Sequence, residues 1–136
     1  MADTNQAAGL SARTMHETLG FEITEGGREL ARGRFPVTDA VRQPMGIVHG
    51  GAYAAMADTL ASAATAAAVE DDGDVAMAQS IDMSLLRPAA EGFVHAEARR
   101  RHGGRTSWVW DVDLTDDAGR LCAIARVTVA VRPRPS

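Results

Sequence analysis

From Ala52 to Val69 the chain reads AYAAMADTLASAATAAAV, and no other stretch limits the fold so tightly. Its length is close to that of a membrane span. The dominant residue, however, is alanine rather than leucine or isoleucine, and Asp58, Thr59, Ser62 and Thr65 interrupt it. Alanine is the strongest helix former, and a helix that is apolar on nearly every side is one the protein surrounds. The segment therefore reads as a buried central helix from about Gly51 to Val69, stopped by the acidic turn EDDGD.

After that turn the period changes from helical to alternating, which marks strands. VAMAQSIDMSLL places Val75, Met77, Ile81, Met83 and Leu85 on one face. FVHAEARRR alternates through Val94, Ala96 and Ala98. RTSWVWDVDL alternates through Trp108, Trp110, Val112 and Leu114, and RLCAIARVTVAV through Ala123, Ala125, Val127, Val129 and Val131. RPAAEG, Gly103-Gly104 and TDDAG separate these runs as turns, so they read as a four-strand meander. Ahead of the helix, FEITEGGRELARGRFPV reads as a hairpin turning at Gly26-Gly27. TDAVRQPMG is a loop broken by Pro44 and Gly46. Leu10, Met15 and Leu19 mark a short helix in an N-terminal arm over residues 1–19, and residues 133–136 form a tail.

The strands run to roughly ten residues, beyond the usual five or six. The expectation is a single α+β domain over residues 1–136: a long antiparallel β-sheet wrapped around one central alanine-rich helix. Small side chains on that helix let a curved sheet come close. A chain of 136 residues can bury a core without staples.

Composition narrows the partners. The net charge is −4, which argues against nucleic acid. All 14 basic side chains are arginine, whose planar fork suits phosphate and carboxylate. The one cysteine, Cys122, excludes an intrachain disulfide. The N-terminus has neither a basic nor an apolar leader region, so a cytoplasmic location with no membrane partner is expected. His16, His49, His95 and His102 are scattered, without ligand spacing, and the glycines lack the G-x-G-x-x-G pattern. No metal and no cofactor is expected.

Several stretches then occur together: Gln43 in the loop, Gly46, the triplet His49-Gly50-Gly51, Asp58 on the helix, SIDMSLLRPA from Ser80 to Ala89, and Gly104-Arg105-Thr106. In this combination, over residues 20–132, the chain resembles the hotdog-fold acyl-CoA thioesterases, nearest the PaaI-like group named for phenylacetate degradation. The resemblance implies a hotdog fold and hydrolysis of an aryl- or medium-chain acyl-CoA. It also implies a homodimer joined sheet edge to sheet edge, extended to a homotetramer, with active sites at the dimer interface.

Thioester hydrolysis needs activated water or a nucleophile, donors for an oxyanion, and a grip on the coenzyme A arm. Asp58 is the candidate base or nucleophile. On a helix it shares a face with Ser62 and Thr65, a polar stripe in which Ser62 could orient the carboxylate or the water. Gly50 and Gly51 open the helix, where backbone N–H groups are unpaired and the helix dipole is positive, so an oxyanion placed there meets ready donors. The resemblance gives His49 an organising role at the helix start, and gives Gln43 a hydrogen bond to the thioester carbonyl or the water. It has Ser80 reach the site from the partner subunit. By motif position, Arg87 and Arg105, with Gly104 and Thr106, are the expected coenzyme A contacts. Arg99-Arg100-Arg101-His102 forms another basic patch. Tyr53, Met56 and the tryptophans suit either the acyl pocket or the core. Two rivals stand beside hydrolysis: a non-catalytic module that only binds acyl-CoA, and a hydratase, whose usual pairing of Asp with a catalytic His on another motif is not matched here.

Overall fold

The computed structural model describes residues 14–136. Chain order is α1 (Met15–Leu19), β1 (Glu22–Glu25), β2 (Leu30–Pro36), a 3-10 turn (Asp39–Val41), α2 (Gly50–Val69), a second 3-10 turn (Glu70–Asp72), β3 (Asp74–Leu85), β4 (Phe93–Gly103), β5 (Ser107–Thr115) and β6 (Leu121–Pro133). The expected N-terminal helix is present from Met15 and ends at Gly20, which has a left-handed φ of 75°. Its proposed beginning at Leu10 lies outside the described residues.

All six strands form one antiparallel sheet in the order β1-β2-β4-β5-β6-β3. This is the hotdog arrangement: a long sheet with α2 packed on its inner face. The β4–β5–β6 meander and the β1–β2 hairpin are as expected, but β3 does not continue the meander. It pairs with β6 at the opposite edge. The segment 86–92 therefore crosses the end of the sheet, where Pro88 breaks any ladder. It is pinned as it goes: the Leu86 and Arg87 N–H groups donate to the Cys122 carbonyl (2.8 and 3.1 Å), Val48 N–H to the Ala89 carbonyl (2.8 Å), and Val37 N–H to the Gly92 carbonyl (2.8 Å).

A second correction concerns β3 itself. The register slips between Ala78 and Ser80, leaving Gln79 as a bulge. One extra residue reverses which face the side chains take. Before the bulge Ala76 and Ala78 pack on the core, and Met77 is 71 % exposed. After it, Ile81, Met83 and Leu85 stand opposite Val127, Ala125 and Ala123 on the helix side. No strict alternation could show this.

A third correction concerns α2. Its buried residues are Ala52, Tyr53, Met56, Ala57, Leu60, Ala61, Ala64, Thr65 and Val69, a face of period 3.6 turned to the sheet. Gly51 and Ala67 are exposed, and Ala54, Ala55, Asp58, Ser62 and Ala66 are half-buried. Alanine is compatible with either setting, so composition hid a one-sided helix. Gly33 on β2 makes the approach possible, since a Cβ there would lie 2.4 Å from Met56 Cε and 2.8 Å from the Glu22 carbonyl oxygen. Trp110, Phe35, Met56, Leu60 and Leu114 are fully buried between helix and sheet. Each such side chain contributes about 1.5–3 kcal/mol through area removed from water. Tyr53, Met56 and both tryptophans thus belong to the core. Among the described residues no helix is long and apolar enough to cross a membrane.

Candidate active site

Most of the candidates gather where α2 begins. β3 ends there at Leu85, β6 starts there at Leu121, and the segment 86–92 crosses the same end. His49 makes the helix start. Its backbone is extended, its Nδ1 accepts the Gly51 N–H at 2.7 Å, and its carbonyl accepts the Ala52 N–H at 2.9 Å. An accepting Nδ1 leaves the proton of the neutral ring on Nε2. This cap occupies Gly51, so the expected pair of free donors narrows to Gly50, whose N–H has no partner among the described residues. Gly50 also lies against the end of β3: a Cβ on it would sit 2.7 Å from Leu85 Cδ1. Glycine is what lets strand end and helix start meet.

Asp58 lies about 12 Å further along α2, at 1.5 Å per residue. It is half-buried, and Ser62 Oγ donates to its Oδ1 at 2.8 Å. No arginine among the described residues pairs with it. The polar stripe ends there. Thr65, expected as its third member, is fully buried, and its hydroxyl donates to the Ala61 carbonyl (2.8 Å) while accepting Trp110 Nε1–H (2.9 Å). Thr65 ties the helix to the sheet.

The loop before His49 is held by its own backbone. Gln43 N–H donates to the Ile47 carbonyl and Gly46 N–H to the Gln43 carbonyl, both at 2.9 Å. The Gln43 side-chain oxygen accepts the Met45 N–H. Its amide nitrogen is left available. Arg42 fastens the loop to the crossing segment through the Ala90 carbonyl (2.9 Å) and to Asp39 (2.7 Å). Arg87, in that segment, is exposed.

Two expected groups lie elsewhere in the single chain. Ser80 follows the bulge opposite Thr128, on the outer face of the sheet. Gly104, Arg105 and Thr106 form the β4–β5 turn at the other end, about 30 Å away along β5. Their backbone is spent on structure. Gly104 N–H donates to the Ser107 carbonyl (2.9 Å), Trp108 Nε1–H donates to the Gly104 carbonyl (2.9 Å), and the Thr106 carbonyl accepts the Val131 N–H (2.9 Å) and Arg132 (2.6 Å). The basic run beside them is largely ion-paired: Arg99 with Glu97, Arg100 with Glu29 at 3.4 Å, Arg101 with Asp111 at 3.5 Å.

Sequence reasoning missed one neighbour of the helix start, Leu85, and left a second, Tyr53, open between the acyl pocket and the core. Leu85 borders Gly50 although only its place at the end of a strand marked it. Tyr53 is 3 % exposed with a hydroxyl that finds no hydrogen bond. Burial first, then the nearby Cys122, pushes that phenol up to about 12.

A half-buried carboxylate held by a serine and, about 12 Å away on the same helix, a capped helix start with one open N–H are the parts that acyl transfer needs. Residues 45–123 match the family model of the thioesterase superfamily. The proofreading thioesterase EntH of Cronobacter turicensis is 36% identical over 121 residues, covering 89% of this chain and 88% of that protein. A thioesterase variant from Pseudomonas aeruginosa superposes with a TM-score of 0.88 at 31% identity, covering 98% of this chain and 96% of that one. A thioesterase from Staphylococcus aureus superposes at 30% identity as two variants. One has a glutamine replaced by alanine (TM-score 0.84, 88% and 98% covered) and the other a glutamate fifteen positions later (TM-score 0.85, 89% and 100% covered). The chain belongs to the thioesterase superfamily and is a thioester hydrolase of the hotdog fold.

Proposed function

We propose that the chain hydrolyses acyl-CoA thioesters, with Asp58 activating the attacking water or attacking the carbonyl itself. The observation that carries this is the Asp58–Ser62 pair: one oriented carboxylate on an otherwise apolar helix, two turns from the open Gly50 N–H. Gly50 supplies the oxyanion donor, reinforced by the positive end of α2; at about 12 Å along one helix it is too far from its own Asp58 to share a carbonyl, so it serves with Asp58 of the partner subunit. His49 shapes the cap, and the Gln43 amide reaches the carbonyl or the water. Gln43 and Asp58 stand fifteen residues apart, the spacing of the two positions replaced in the Staphylococcus aureus variants, which supports pairing them in one site.

The site is completed by a second copy. β3 is a twelve-residue edge strand with unpaired backbone, and the Asp58 face of α2 is not covered by its own sheet. Two β3 edges joined antiparallel by a twofold axis bring the partner's far end toward this chain's helix start. That is how Arg105, and through the partner's β3 Ser80, come to serve a site distant from them within one chain. Arg87, from the same chain, meets the phosphates of coenzyme A. Aryl or medium-chain acyl groups are the substrates, and the buried thiol of Cys122 suits a reducing cytoplasm.

Thiol release from a panel of aryl-, short- and long-chain acyl-CoAs, with wild type and Asp58→Asn side by side, tests the reading. Turnover that falls a hundredfold or more in the variant supports it. Binding of acyl-CoA without thiol release by wild type transfers the assignment to a non-catalytic binding module. Equal turnover by both proteins removes Asp58 from the chemistry.

A further inference from the structure

The crossing segment 86–92 is held differently at its two ends. At its start the Cys122 carbonyl accepts from Leu86 and Arg87, backbone to backbone. At its end a side chain does the holding. Asp117, in the β5–β6 turn, accepts the Phe93 N–H at Oδ2 (3.2 Å) and pairs through Oδ1 with His95 Nε2 (2.7 Å). Those two partners, His95 foremost, hold its carboxyl below the usual carboxylate range, so it is ionised and only accepts. Gly92 is fitted to this carboxylate. Its φ is 75°, and a Cβ on it would collide with Asp117 Oδ2. The Gly92 carbonyl in turn takes the Val37 N–H at 2.8 Å. This end of the segment supports the loop that leads into α2. The Ala89 carbonyl takes the Val48 N–H (2.8 Å) and the Ala90 carbonyl takes Arg42 Nη2 (2.9 Å), while Arg42 and Val48 face each other as a bridge. Next comes His49, whose N–H donates to the Val41 carbonyl (2.8 Å) and whose ring caps Gly51, leaving the Gly50 N–H open.

We infer that Asp117 is a positioning residue for hydrolysis: by fixing residues 89–93 it fixes the loop 42–49 and, through that loop, the direction in which the Gly50 N–H points. The inference rests on the hydrolase reading above, in which Gly50 supplies the oxyanion donor. Asp117 and His95 are both exposed, and an exposed pair contributes little to global stability. A donor that must meet an oxyanion is more demanding, since a misplacement of about 1 Å costs up to about a hundredfold in rate. The clamp therefore governs placement rather than folding.

The experiment measures kcat per folded molecule, KM and the thermal midpoint with benzoyl-, hexanoyl- and palmitoyl-CoA. It compares wild type, Asp117→Ala, Asp117→Asn, Gly92→Ala and the double variant of Asp117→Ala with Gly92→Ala. Asp117→Ala is expected to lower kcat about tenfold or more with KM within about twofold, because an oxyanion contact strengthens in the transition state. Its midpoint should stay near that of wild type. Asp117→Asn keeps an acceptor for the Phe93 N–H and should retain most of kcat. Gly92→Ala drives a Cβ into the carboxylate and should lower kcat as Asp117→Ala does. The double variant should then lose much less than the product of the two single losses, since both break one contact. Unchanged kcat per folded molecule in Asp117→Ala overturns the role of Asp117 and leaves the hydrolase reading intact. A rise in KM at constant kcat does the same, as does an Asp117→Asn variant as slow as Asp117→Ala. Absence of thiol release by wild type from all three substrates overturns both.

Discussion

The two ends of the sheet are built from similar materials and finished differently. At the far end the β4–β5 turn, Trp108 and the last turn of α2 close on one another. Trp108 lies between Arg28 and Arg100 at 5.6 and 4.8 Å, its indole N–H is taken by Gly104, and Arg28 Nη1 donates to the Ala68 carbonyl at 2.9 Å. At the near end, by contrast, groups remain open: the Gly50 N–H, the Gln43 amide nitrogen, one oxygen of Asp58, the Arg87 guanidinium, and apolar Leu85. Conserving free energy would have closed both ends. Unfinished hydrogen bonding beside uncovered apolar surface is what distinguishes a site from a scaffold here, more than residue type does. Gly104-Arg105-Thr106 and His49-Gly50-Gly51 are equally motif-like in sequence, and only the second opens a long helix with an unpaired backbone N–H.

The contrast can be broken from the scaffold side. Trp108→Ala is expected to remove about 3–5 kcal/mol of stability, measured by denaturant unfolding, with kcat per folded molecule preserved. A large loss of kcat in the folded variant would tie the far end to the chemistry rather than to the scaffold. From the other side, Asp58→Asn is expected to lower kcat a hundredfold, about 2.7 kcal/mol of barrier, while its thermal midpoint stays near that of wild type. A midpoint that collapses would return Asp58 to the scaffold.

Smaller effects sharpen the picture. Asp116, at the β5–β6 turn, accepts the Arg120 N–H at 2.9 Å, Arg120 Nε–H at 2.8 Å and the Ala118 N–H at 3.0 Å. The Arg120 backbone N–H foremost holds its carboxyl below the usual carboxylate range. A depressed value in the folded chain means the unfolded chain takes up the proton first. The stabilisation is thus present above about pH 4 and is lost as pH falls through the depressed value. Unfolding followed from pH 6 to pH 2 should show a steeper acid loss in wild type than in Asp116→Asn. Tyr53 has the opposite sign. Its phenol is raised to about 12, so the stability present below the usual tyrosine value near 10 is reduced as pH rises toward 12. Tyr53→Phe removes a buried hydroxyl without a partner, so its thermal midpoint at neutral pH should equal or exceed that of wild type. A clear drop would mean that the hydroxyl has a partner, such as a bound water.

Periodicity and composition carry local information, and they determined the local features of this protein: one alanine-rich helix, a hairpin, long strands alternating through Trp108 to Leu114 and Ala123 to Val131, and the single carboxylate at Asp58. Each of these follows from a side chain's relation to neighbours a few positions away, where helix and strand periods act. What tertiary structure alone decided is non-local. β3 crosses to pair with β6, because the segment 86–92 finds its partners at Cys122, Val48 and Val37. A single bulged residue, Gln79, turns Met77 outward and Leu85 inward. Thr65 leaves the polar stripe because Trp110, 45 positions away in the chain, needs an acceptor. His49 folds back on Gly51 and so leaves Gly50 as the open donor. Alternation and motif assign a residue its type and its face in an ideal element. Which donor is satisfied and which face is covered depends on partners distant in the chain.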